Sequence, residues 1–80
     1  MMTNEMTDAR KLTELKRGQS ATVAGLDTAD EKVLKKLMSM GIMPGAPLKV
    51  LLTFPSYVFQ VGYTQVAVDK TAASAIMVYI

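Results

Sequence analysis

Apolar residues recur at two spacings along this chain, and each change of spacing marks a new element. From Gln19 to Leu26 the pattern alternates, with Ala21, Val23 and Gly25 on one side and Thr22, Ala24 and Leu26 on the other. That alternation predicts a strand. Between Thr28 and Met40 the spacing lengthens to three and four: Val33, Leu34, Leu37 and Met38 form a stripe, with Met40 at its edge. Lys32, Lys35, Lys36 and Ser39 fall outside it, as on an amphipathic helix over about residues 29–40. Thr28-Ala29-Asp30-Glu31 reads as a capping box, Thr28 covering the Glu31 amide and Glu31 reciprocating. Three β-rich runs follow, Leu48–Phe54, Tyr57–Val61 and Gln65–Val68, separated by Pro55-Ser56 and Gly62-Tyr63-Thr64. A short helical turn over about residues 71–75, capped by Asp69 or Thr71, precedes a last strand in Ala75–Ile80.

The join between helix and next strand is the most sharply specified stretch. Gly41 follows the helical pattern, where a left-handed residue ends a helix without a Cβ penalty. Ile42 then reaches back toward Leu37, the apolar contact of a Schellman end. Pro44 cannot continue a helix, and Pro44-Gly45 reads as a turn. Gly41, Pro44 and Gly45 are thus structural. Five short strands with one inserted helix suit a small, mainly β barrel, since closure removes exposed edges.

Residues 1–10 lack periodicity and read as a flexible tail. Residues 11–80 then form one domain, entered through Leu12, Leu15 and a Lys16-Arg17-Gly18 turn. An 80-residue chain buries only roughly 60% of its unfolded surface, so every element must reach one core. Half of the residues are hydrophobic, which supplies enough material. No signal-peptide pattern opens the chain and no apolar run approaches the ~20 residues of a membrane span, so a cytoplasmic protein is expected.

Composition narrows the chemistry. There is no histidine and no cysteine, which removes the commonest general base, the thiolate nucleophile and the best soft-metal ligands. Catalytic residues, metal ligands and cofactors are therefore not expected. Met38, Met40 and Met43 do not form a copper site, because Met38 and Met40 project about 200° apart on a helix. Asp27, Asp30 and Glu31 are accounted for by capping and the helix dipole. The net charge of +2 is spread along the chain, without the stripe of a nucleic-acid binder. Contact with another macromolecule remains. Met40, Ile42 and Met43 offer adaptable apolar contact, Tyr57 and Phe59 aromatic anchors, and Lys35 and Lys36 steering charge. Tyr57 and Phe59 share one strand face and read first as core, with partner contact as the second reading.

From Leu12 to Val78 the chain resembles the FeoA-type proteins of bacterial ferrous iron transport. The resemblance rests on Leu12-Thr13-Glu14-Leu15-Lys16-Arg17-Gly18, on Leu37-Met38-Ser39-Met40-Gly41-Ile42-Met43-Pro44-Gly45, on Val66-Ala67-Val68 and on Ala73, Ile76 and Val78, in that order. Departures are Lys36 for a common arginine, Asp69 for a basic residue, Gly62 one position early, and the aromatic Phe54–Phe59 segment. The resemblance implies an SH3-like five-stranded barrel with an inserted helix, like the C-terminal domain of DtxR-type repressors. It implies a cytoplasmic accessory role, at the inner face of the membrane through its partner, beside the GTPase transporter FeoB. It also carries a family-level link to transition-metal binding. The alternatives are a nucleic-acid-binding barrel or an SH3-like module serving a different partner.

Overall fold

The computed structural model describes residues 9–80. Most of the expected tail, residues 1–8, lies outside the described residues. The chain runs β1 (Arg10–Lys11), a 3-10 turn (Leu12–Glu14), β2 (Ser20–Leu26), α1 (Glu31–Ser39), β3 (Pro47–Leu52), β4 (Tyr57–Val61), β5 (Thr64–Val68), α2 (Lys70–Ser74) and β6 (Ile76–Tyr79). The strands form one antiparallel sheet in the order β1-β6-β2-β3-β4-β5, with an SH3-like architecture.

Among the described residues six strands replace the expected five, because Arg10 and Lys11 pair with Val78 and Met77. Two residues are too few to show a period. The hydrogen-bonded ring also stays open: β1 and β5 are the two edges of the described sheet. Contacts of α2 with the 3-10 turn and with β5 cover the core where the strands do not meet.

Alternation carries the core. Leu48 and Val50 of β3, Phe59 and Val61 of β4, Val66 and Val68 of β5, and Ile76 and Val78 of β6 are buried. In β2 the simple alternation fails. The register against β6 shifts between Val23 and Gly25, so Ala24 is an extra residue. A bulge reverses which face later residues occupy. Val23 points inward, and past the bulge so does Leu26, which packs against the core although strict alternation puts it on the opposite side from Val23.

Helix α1 is shorter than predicted. Asp30, not Thr28, caps it: its Oδ1 accepts from the Lys32 amide at 2.9 Å, while the Thr28 hydroxyl accepts from the Asp30 amide at 3.1 Å. Thr28 is thus used one turn before the helix, and the expected capping box with Glu31 is not formed. The stripe is also narrower. Leu37 is fully buried and Val33 and Met40 pack on the core, but Met38 is 49% exposed. At the C-terminal end of the sheet, Asp69 caps α2 by accepting from the Ala72 amide at 2.8 Å.

Candidate functional site

The exit from α1 is built as the residue types dictate. The Gly41 amide donates to the Met38 carbonyl at 3.0 Å and the Ile42 amide to the Leu37 carbonyl at 3.1 Å. These are the two bonds of a Schellman end, and Gly41 has the required positive φ of 86°. Ile42 and Leu37 are both fully buried, completing its apolar contact. The chain then turns at Pro44-Gly45, where the Ala46 amide donates to the Met43 carbonyl at 3.0 Å and Gly45 has a φ of 91°. Two further bonds, Gly45 to the Val23 carbonyl and Val23 to the Ala46 carbonyl, both 2.8 Å, fasten this turn to β2 beside its bulge.

These constraints sort the seven residues proposed for partner contact. Lys35, Lys36 and Met43 are exposed, Met43 to 49%. Met40 and Tyr57 are half-buried and pack on the core. Ile42 and Phe59 are fully buried, so neither presents a contact surface in this fold. Phe59 is the largest fully buried side chain, facing Val66 and Val50 across the sheet. The expectation that Phe59 and Ile42 anchor a partner is corrected on that ground: each is held by the domain's own core. Met43 is tied to β2 and Tyr57 stands on β4, with β3 between those strands.

A groove of about 310 Å³ lies where α1, the start of β4, the end of β5 and α2 meet. Val33, Leu37, Val68 and Ala72 give it apolar walls, Ser56 and Thr71 add hydroxyls, and Lys36 and Asp69 add charge. The Asp69 carboxylate is already committed to the α2 amide of Ala72. Sequence reasoning placed Lys36 on a solvated face. It missed the groove, whose walls come from separate segments spread between Val33 and Ala72. Of the aromatic 54–59 segment, Phe54 is the exposed member, at 84%, and Tyr63, which sequence reasoning passed over, is fully exposed at the β4–β5 hairpin tip.

Among the described residues, no three Asp, Glu, His or Cys side chains gather as a metal site. No helix among them is long and apolar enough to cross a membrane.

The FeoA domain family matches residues 10–80 of this chain. The FeoA protein of Chlorobium tepidum is 32% identical, superposes over 89% of this chain and 70% of its own, and has a TM-score of 0.81. A crystal structure of an iron uptake regulatory protein, FeoA, is 30% identical over 88% of this chain and 93% of its own, with a TM-score of 0.78. The IdeR protein of T. acidophilum superposes over 90% of this chain but 34% of its own, with a TM-score of 0.85; at 21% identity it shows the shared fold alone. Among curated proteins, none matches the sequence.

Proposed function

This chain belongs to the FeoA family, and from that premise we propose that it is a non-enzymatic accessory protein of ferrous iron transport, acting by docking a FeoB-type membrane transporter from the cytoplasmic side. The observation that supports this reading is the family match across residues 10–80, which takes in every described strand and helix. The surface at the end of α1 supports it physically. Met43 projects from a turn held by four backbone hydrogen bonds, counting its own closure, its two bonds to β2 and the Schellman bond of Ile42 just before it. An adaptable thioether on a rigid mount gives apolar contact at little ordering cost.

The half-buried Met40 ends α1 just before this turn, Tyr57 gives a separate contact on β4, and Lys35 and Lys36 steer the encounter with acidic surface on the transporter. Regulation then follows from affinity. A domain that binds one state of the transporter more tightly than another shifts the population toward it, whereas equal affinity shifts nothing. Iron is the transporter's cargo in this scheme, and no ligand set for it is needed here.

The test is recovery of the transporter from the native membrane fraction on immobilised protein. Met43→Asp places a charge in the contact and is expected to cut recovery by roughly tenfold or more, the effect of about 1.4 kcal/mol. Tyr57→Ala is expected to reduce it as well. Equal recovery by wild type and both variants discards the proposed surface; failure of wild type to recover the transporter at all discards the function.

A further inference from the structure

Among the described residues, strand β5 is an edge of the sheet, paired with β4 alone. The β4–β5 turn has only Gly62 and Tyr63 between the paired residues Val61 and Thr64, with Gly62 at a positive φ of 60°. Such a two-residue hairpin fixes the phase of its hydrogen bonds. Val61 with Thr64, Phe59 with Val66 and Tyr57 with Val68 are the bonded pairs. The backbone N–H and C=O groups of Gln65 and Ala67 consequently point away from β4. Among the described residues, neither makes a backbone bond outside the hairpin. Thr64, Gln65 and Ala67 are all exposed.

Natural edges are blunted by charge, proline, bulges or brevity. The opposite edge follows that rule, because β1 is two residues long and both are basic. Strand β5 does not. Its sequence, Thr-Gln-Val-Ala-Val, has no charge and no proline, and its register against β4 is unbroken. At the Val68 end it runs into the groove lined by Val33, Lys36, Leu37 and Ala72. The groove carries both signs: the Asp69 carboxylate, which accepts from the Ala72 amide of α2 and keeps its charge, and the Lys36 ammonium, the cation of its lining.

We propose that the outer edge of β5 is a strand-addition site for an extended polypeptide segment, with an acidic side chain entering the groove beside Lys36. Only another extended backbone satisfies alternate donors and acceptors in a row, and pockets at the end of the row select side chains. A second copy is the poorer occupant, since β5 itself has no carboxylate to answer Lys36 and the Asp69 that follows it already caps α2. This inference rests on the docking-module reading and adds the chemistry of what docks.

The experiment pans a displayed library of random nonapeptides on the wild-type protein and maps the enriched peptide by backbone amide exchange. The expected result is enrichment of Asp- and Glu-containing peptides that slow exchange at Gln65 and Ala67 by roughly tenfold or more, equivalent to about 1.4 kcal/mol. Ala67→Pro removes one outward N–H while sparing the β4 ladder and is expected to weaken binding by a similar factor. Lys36→Glu is expected to turn the selection toward basic peptides. Three results overturn the proposal: no enriched peptide, protection at Met43 and Tyr57 instead, or protection of Gln65 and Ala67 by self-association without peptide. Should Ala67→Pro fail to fold, the exchange map of the wild-type protein still decides. Any of these failures leaves the transporter-recovery test with Met43→Asp standing on its own.

Discussion

Gly41 shows how a single residue can set the direction of a chain. Its φ of 86° is strained for any side chain, yet no atom lies within 4 Å of where a Cβ would sit. Substitution therefore meets no clash, only backbone strain. Gly41→Ala is expected to lower stability by about 1–2 kcal/mol, read as a lower urea midpoint with an unchanged slope. Phe59 and Tyr57 make the opposite contrast. Phe59→Ala is expected to cost about 3–5 kcal/mol and to leave much of so small a domain unfolded by circular dichroism. Tyr57→Ala, at a half-buried position, is expected to fold. Gly41, Pro44 and Gly45 were legible in the sequence because few residue types tolerate their backbone angles. The division between Phe59 and Tyr57 was not legible. Alternation puts both on one strand face, and what covers each is decided by other segments of the chain.

At the scale of elements, the helix start separates two candidate caps. Asp30 bonds the α1 amide of Lys32, while Thr28 bonds only Asp30. Asp30→Ala is expected to lower stability by about 1 kcal/mol and Thr28→Ala by clearly less, in parallel chemical denaturation. A larger loss for Thr28→Ala would restore the capping-box reading. Element identity was readable throughout: α1, β3, β4, β5, α2 and β6 all stand within two residues of where periodicity put them. What periodicity missed has local causes. Strand β1 is too short to repeat, and the Ala24 bulge inverts β2 partway, so that Leu26 changes face. A bulge adds one residue without altering composition, and its one local signal was Gly25, a glycine inside the strand pattern directly after Ala24.

At the scale of the whole molecule, function entered through two routes of different reach. The lack of histidine and cysteine pointed away from common catalytic and thiolate chemistry. The order of motifs pointed to the family that matches residues 10–80. Neither route revealed the open edge of β5 or the groove beside Lys36. Both are made by which strands fail to meet, and that is a property of the assembled sheet, not of any segment.

The pairing of β1 with β6 has one more consequence. Arg10 lies opposite Val78, so the register places Ala9 opposite Tyr79, about one strand spacing away, roughly 5 Å. The domain's two ends are neighbours, and its order of elements is cyclic in all but covalent structure. A circularly permuted protein, with Ile80 joined to Ala9 by a few glycines and new termini opened at the exposed loop between Thr53 and Phe54, is expected to keep the native circular dichroism spectrum and unfold cooperatively. Loss of cooperativity would show that the β3–β4 connection, and not the sheet alone, holds this fold in register.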